Sequence, residues 1–168
     1  MEIHTERLIL RDWRDDDLKP WAEINADPEV REHLGPVWDE EQSAASMKLY
    51  QEAFQHNGFS FWAVEERANQ QLIGFAGLDL IEPDMPFAGV EIGWRLGRSA
   101  WGHGYATEAA LAVLDFGFTT AGLDEIFAIT LAENVRSQAV MRRAGMTHSP
   151  EHDFNHEGST HVVYRKLP

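Results

Sequence analysis

Three strand-like stretches follow one another in the middle of this chain, and they restrict the fold more than any other feature. "FSFWAVEE" (59–66), "QLIGFAGLDL" (71–80) and "AGVEIGWRL" (88–96) are separated only by short links. The polar turn Arg67–Gln70 joins the first two as a hairpin, and Pro83 and Pro86 interrupt the link to the third. Strands this close in sequence pair antiparallel, because a parallel crossover takes a dozen residues or more. After Arg98 the pattern changes. A glycine-bearing turn leads into a helix predicted from Thr107 to about Thr120, ending near Gly122. "DEIFAITL" is then a strand, "SQAVMRRAG" a helix stopped by Gly145, and "THVVYRKL" a last strand. That later strand–helix–strand portion calls for a parallel pair.

Upstream, "TERLILRDW" alternates, with Leu8 and Leu10 on one face and Arg7, Ile9 and Arg11 on the other. Asp15, Asp16 and Asp17 give an acidic first turn to a helix running to about Asn25. Asp27-Pro28 reads as the cap and first position of another short helix. "WDEEQSAASMKLYQEAFQ" is a longer one, with Asp39 and Gln42 spaced as a capping box. The order β-α-α-β-β-β-α-β-α-β predicts a mixed α/β (α+β) fold with a largely antiparallel sheet and helices on both faces. The 168 residues suit a single domain, 1–168.

Composition removes several functions. Net charge is −14, from 28 acidic and 14 basic residues, which argues against a nucleic-acid partner. The acidity serves solubility or steers an amine or basic peptide. There is no cysteine, so disulfides, thiolate metal sites and a cysteine nucleophile are excluded. No apolar run approaches a membrane span. The start "MEIHTERLILRDW" lacks the features of a secretion signal, so the expected location is cytoplasmic, with no membrane partner.

"RSAWGHGYATEAA" (98–110) sets the chemistry. The first N–H groups of a helix lack partners and carry the positive end of its dipole. Gly102 and Gly104 remove side chains that would block a phosphate, and Ala106 keeps the next position small. The segment therefore suits a phosphate or pyrophosphate held by backbone N–H groups. A Walker loop would need Gly-Lys-Ser/Thr, and a dinucleotide fingerprint would put glycine where Thr107 stands. A plain tight turn before a helix remains the other reading of two glycines.

"EIGWRLGRSAWGHGYATEA" resembles the central motif of the GNAT superfamily of N-acetyltransferases, Arg/Gln-x-x-Gly-x-Gly/Ala. Trp101 stands at the Arg/Gln position, Gly104 at the glycine and Ala106 at the small position. Tryptophan departs from the general motif but is usual in the branch of the ribosomal-protein N-terminal acetyltransferases. "TERLILRDW", "NADPEV", "AENVRSQAVMRRAGM" and "HVVYRKL" resemble further segments of that branch in the same order. The resemblance implies the GNAT fold, with the central mixed sheet splayed between its fourth and fifth strands. It implies acetyl-coenzyme A as cosubstrate, with no metal, and an amine as acceptor: a protein or peptide N-terminus first, a small-molecule amine second. A non-catalytic acetyl-coenzyme A-binding regulator is the reading from another class. A monomer and a homodimer both suit it.

By the same resemblance, backbone groups of Trp94 and Leu96 would hold the pantetheine arm. Trp101, Gly102, His103, Gly104, Tyr105, Ala106 and Thr107 would form the pyrophosphate loop. Asn134 would contact the cofactor arm, and it also reads as a cap for the helix beginning at Val135. The Trp94 N–H would meet the developing oxyanion. Glu91 is a candidate base, provided it is buried enough to raise its pKa. By alternation its side chain faces away from that of Trp94. Ser137 would assist the departing thiolate, since Met141 stands where many relatives have a tyrosine. Its hydroxyl could equally bond the backbone. "DFNHEG" makes Asp153 and His156 candidates for the acceptor entrance. His152 and His156 have the spacing of metal ligands on a helix, but Pro150 and Gly158 predict a loop there.

Overall fold

The computed structural model describes residues 1–168, and its strands form one mixed sheet. In chain order the elements are β1 (Ile3–His4), β2 (Leu8–Arg11), α1 (Leu18–Asn25), α2 (Glu40–Asn57), β3 (Phe61–Glu66), β4 (Gln71–Leu80), β5 (Val90–Leu96), α3 (Tyr105–Thr119), β6 (Ile126–Leu131), α4 (Val135–Arg143), β7 (Thr147–His148), β8 (Phe154–His156) and β9 (Ser159–Lys166). Across the sheet the order is β1-β2-β3-β4-β5-β6-β9-β7, with β8 on β9. Every pairing is antiparallel except β5 with β6. The central antiparallel run and the later parallel pair are as the sequence pattern predicts.

Alternation along the strands sorts side chains to two faces. Leu8 and Leu10 of β2, Trp62 and Val64 of β3, and Ile92 and Leu96 of β5 join Ala109, Val113 and Leu114 of α3 in the larger core. On the opposite face Trp13, Trp21, Met47, Ala63 and Phe75 pack beneath α1 and α2. The predicted capping box opens α2: Asp39 Oδ1 accepts from the Gln42 N–H, and Gln42 Oε1 accepts from the Asp39 N–H, at 2.8 and 2.9 Å. Such a cap contributes roughly 1 kcal/mol.

Three expectations need correction. Asp27-Pro28 does not begin a helix. Asp27 Oδ1 accepts from the Glu29 N–H at 3.0 Å, but residues 28–34 stay in turns because Gly35 and Pro36 cut propagation short. The α3 helix starts at Tyr105, two residues before the predicted Thr107. The segment expected as a loop around His152 and His156 is a short 3-10 turn followed by the β8–β9 hairpin. Glu157 and Gly158 turn it with φ of 49° and 79°, the paired positive values that a tight hairpin needs.

The parallel pair does not stay together. Glu91 and Phe127 are the only residues of β5 and β6 in register, so the rest of β5 diverges from its neighbour, and the expected splay is present. A bulge in β4 lies beside the diverging end: Val64 pairs with Gly74, whereas the next residue, Glu65, pairs with Leu72. Gly74 has φ of 146°, and a Cβ there would lie 2.0 Å from the Arg95 carbonyl oxygen. Bulges add local twist, which carries β5 away from β6.

Candidate active site

The splay opens a cleft of about 740 Å³. Its walls include Glu91–Leu96 of β5, the glycine segment, Asn134, Arg136 and Ser137 at the start of α4, and Glu29, His33 and Leu34 from the loop after α1. A larger depression of about 1070 Å³ lies elsewhere, lined by Arg11, Asp17 and Glu65. Those three charges already satisfy one another, and no residue of Trp101–Thr107 reaches it. The chemistry-bearing residues belong to the smaller cleft.

The backbone of β5 supplies its own donors. Gly97 N–H donates to the Ile73 carbonyl and Ile81 N–H to that of Gly89, at 2.9 and 3.0 Å. This antiparallel alternation turns the odd-numbered N–H groups of β5 to β4, and those of Ile92, Trp94 and Leu96 toward the departed β6. The Leu96 carbonyl on that side is partly used, because Trp101 Nε1 donates to it at 2.9 Å. Trp101 thereby ties the strand end to the glycine segment. The Arg136 guanidinium lies 3.8 Å from the Trp101 ring centroid and reaches across from α4, joining the two lips of the cleft.

Gly104 caps α3 in the left-handed region, with φ of 78°. None of the six N–H groups from Gly102 to Thr107 donates to a protein atom. Arg7 sets their direction from behind. Its Nη1 donates to the His103 carbonyl at 2.8 Å, its Nε to Glu108 at 2.7 Å, and its guanidinium lies 4.6 Å from the Tyr105 ring centroid. Glu108 Oε1 also accepts from the Thr5 hydroxyl and the Arg7 N–H. Burial works to raise the Glu108 pKa, but these hydrogen bonds and the Arg7 charge hold it below its usual value. With a loop carbonyl anchored inward, the free N–H groups form a cradle for an anion. The Tyr105 hydroxyl donates to Glu66, so Tyr105 offers the cradle its N–H.

Glu91 lies on the face of β5 that meets α1 and α2, while Trp94 packs toward the α3 core. The β4–β5 register is unbroken through this stretch, so the alternation expected of Glu91 and Trp94 holds. No protein group donates to the Glu91 carboxylate. Burial first, then the negative charges of Asp79 and Glu82, push its pKa up to about 7. Asp79 is its direct cross-strand partner.

At the start of α4, Asn134 Oδ1 accepts from the Ser137 N–H at 3.2 Å, and its Nδ2 donates to Thr130 at 3.1 Å. The capping role of Asn134 is therefore filled, and its oxygen keeps capacity for a second donor. The Ser137 hydroxyl makes no hydrogen bond within the protein, unlike a helix-start serine bonded to the backbone. Met141 is 1% exposed and belongs to the core. Asp153 and His156 do not line the cleft. Asp153 accepts from the Val163 N–H at 2.8 Å and pairs with His148 at 2.9 Å, which holds the β7–β9 corner. His152 packs against Phe87 and Phe127.

The family described as "Acetyltransferase (GNAT) domain" matches residues 7–147. This chain belongs to the GNAT acetyltransferase family. Similar to it is the uncharacterized N-acetyltransferase p20 of Bacillus licheniformis, 30% identical over 137 residues, which span 80% of this chain and 76% of that protein. An acetyltransferase structure from Agrobacterium tumefaciens str. C58 superposes with a TM-score of 0.86 at 26% identity, covering 100% and 95% of the two chains. Two others share the fold at lower identity. RimL, a ribosomal L7/L12 alpha-N-protein acetyltransferase in complex with coenzyme A, gives 0.80 at 17% over 99% and 98%. Spermidine N-acetyltransferase from Vibrio cholerae, in complex with coenzyme A and spermine, gives 0.73 at 20% over 97% and 96%. GNAT enzymes use acetyl-coenzyme A, and the free cradle and splay fit a pyrophosphate followed by an amide-bearing arm.

Proposed function

We propose that this protein is an acetyl-coenzyme A-dependent N-acetyltransferase that transfers directly to a primary amine. The observation that carries the reading is Glu91. It is a carboxylate without a protein donor, raised to about 7, on the wall of the cleft that holds the free cradle. A base with a pKa near the working pH combines a usable deprotonated fraction with adequate basicity.

The N–H groups of Gly102–Thr107 hold the pyrophosphate, and the N–H groups of Trp94 and Leu96 pair with the arm in place of a strand. Asn134 contributes its remaining lone pair to the arm. Glu91 takes the proton that the amine loses as its nitrogen bonds the acetyl carbon, directly or through one water. The Trp94 N–H donates to the carbonyl oxygen as negative charge grows there. As the carbon–sulfur bond breaks, the positive end of α4 and the Ser137 hydroxyl stabilise the thiolate. With no cysteine in the chain, an acetyl-thioester enzyme cannot form, which favours transfer with both substrates bound together.

Peptide N-termini and small amines both satisfy this chemistry, and the fold neighbours named above act on each kind. Asp153 and His156 stay candidates only for an extended acceptor that passes beyond the cleft. The test is thiol release from acetyl-coenzyme A with a panel of peptides, amino acids and polyamines, varying both substrates. Intersecting initial-rate lines are expected. Parallel lines with an acetylated protein by mass spectrometry would refute direct transfer, and coenzyme A binding with no release from any amine would make the protein a cofactor-binding regulator.

A further inference from the structure

Two arginines, Arg95 in the cleft wall and Arg31 across the Trp38 ring from it, have no carboxylate, in a chain with 28 acidic and 14 basic residues. Arg11 shows the ordinary solution for a buried guanidinium here: it is 4% exposed, 2.7 Å from Asp17 and 2.6 Å from Glu65. Arg31 is also 4% exposed. Its Nε donates to the Pro36 carbonyl at 2.6 Å and its Nη2 to that of Leu34 at 2.8 Å, while Nη1 is buried without a partner. Arg95 lines the cleft two residues from Gly93. Its Nη1 donates to Asn25 Oδ1 at 2.8 Å, its Nε is buried without a partner, and its Nη2 makes no hydrogen bond. The Trp38 ring lies 4.3 Å from one guanidinium and 4.8 Å from the other.

Carbonyls and an indole face account for Arg31, which is woven into the loop after α1. Arg95 lies over the Trp21, Trp38 and Phe75 rings, at 5.4, 4.8 and 5.2 Å, but Asn25 is its one acceptor and it meets no anion. Burial, with the charge of Arg31 added, pushes its pKa down to about 10; the bare site opposes the charge that it holds. A buried cation is stable when a desolvated anion meets it. No Asp or Glu lies within salt-bridge distance of either guanidinium, which leaves the Arg95 position open to an anion brought by a ligand.

The geometry of β5 says which ligand. Glu91, Gly93 and Arg95 lie on one face of the strand, the face floored by Phe61 and Phe75. A Cβ at Gly93 would lie 3.0 Å from the Phe61 ring, so that ring packs directly on Gly93 and makes the floor between Glu91 and Arg95 apolar. Glu91 and Arg95 have Cα atoms about 13 Å apart along an extended strand. Both residues line the cleft, and a carboxylate and a guanidinium at that separation across an apolar floor suit one small molecule with an amine at one end and an anion at the other.

We infer that Arg95, backed by Arg31 through Trp38, receives the carboxylate of the acceptor, and that the acceptor class is free amino acids. This rests on the reading of the cleft as an amine acetyltransferase and goes beyond it. A peptide N-terminus puts an amide where the carboxylate would be, and a polyamine puts a second cation there.

The experiment compares the standard amino acids with their carboxamides, their decarboxylated amines and dipeptides beginning with the same residue. For at least one amino acid, kcat/KM should exceed that of each matched compound by about 30-fold or more, the scale of a charge-assisted hydrogen bond. In Arg95→Gln the preference should collapse through KM, and Arg95→Lys should recover part of it. Calorimetry of the coenzyme A-loaded protein with N-acetyl amino acids and their amides reads the same preference without turnover, should a variant fail to fold. Equal use of acids and amides, better use of dipeptides, or a preference untouched in Arg95→Gln would overturn the inference while leaving an amine acetyltransferase in place. Absence of turnover with every amine would instead refute the enzyme reading, and the calorimetry would still decide whether a carboxylate is bound.

Discussion

Replacing Glu91 by glutamine tests whether burial really raises this carboxyl, because stability and rate should move in opposite directions. A carboxyl at about 7 in the fold and near 4.5 unfolded favours the fold when protonated. That advantage is full below the unfolded value and is lost as pH rises through the folded one. Linkage puts the loss at about 0.8 kcal/mol at pH 5 and about 3.3 kcal/mol at pH 8. Glutamine has the shape of the protonated acid and never ionises. Glu91→Gln should therefore be the more stable protein, by up to about 3 kcal/mol at pH 8 and by much less at pH 5. For a chain of this length that is a Tm gain of roughly 6–12 °C at the higher pH. Turnover should fall about 10²-fold or more, as when a general base is lost. The acidic limb of the wild-type kcat profile, rising through about pH 7, should disappear. Thermal unfolding at the two pH values and a pH–rate series measure both. An equal Tm difference at pH 5 and pH 8 would refute the desolvation argument, and a retained acidic limb would remove Glu91 as the base.

Gly104→Val forces a β-branched residue into φ of 78° beside the cradle, and should weaken coenzyme A binding by several kcal/mol through strain and lost hydrogen bonds. Unchanged calorimetric affinity in a folded variant would remove the glycine segment from the cofactor site. Arg7→Gln frees the His103 carbonyl and leaves Glu108 without its cation; coenzyme A affinity should drop about tenfold with the pH profile of kcat unchanged. Ser137→Ala should lower turnover about tenfold or more while coenzyme A affinity hardly moves. Normal turnover in that variant, under conditions where chemistry limits the rate, would leave the thiolate to the helix end and water and remove Ser137 from the mechanism.

The long elements could be read from the chain because each carries several turns or several alternations of signal. The Asp39–Gln42 box and the Arg67–Gln70 hairpin are local, so three or four residues announce them. β1, β7 and β8 are two or three residues long, too short to repeat even the two-residue strand period. The motif around Gly104 marked the cradle, but not what holds it: Thr5 and Glu108 meet across 103 positions of sequence. Arg95 was hidden for another reason. In "EIGWRL" it reads as an ordinary polar residue of a half-buried strand, and its lack of a counterion appears only when the loop carrying Arg31 and Trp38 folds over it. Asp153 and His156 rest on a resemblance in a segment where insertions and re-pairing are easiest, and Asp153 holds a sheet corner.

In the proposed mechanism one strand organises both halves of the reaction because of its two-residue period. The backbone edge of β5 faces the splay, so donors for an arm and for an oxyanion lie in the plane of the sheet. Its even side chains, Ile92, Trp94 and Leu96, anchor that edge to the α3 core. Its odd side chains, Glu91 and Arg95, stand on the other face with only Gly93 between them. A slip of one residue in the pairing with β4 would turn Glu91 into the apolar core and Trp94 toward the acceptor. The proposed mechanism therefore requires the unbroken register from Val90 to Leu96. The bulge in β4 lies beyond Phe75, opposite the end of β5, where it can bend the strand without reversing the residues that meet the substrate.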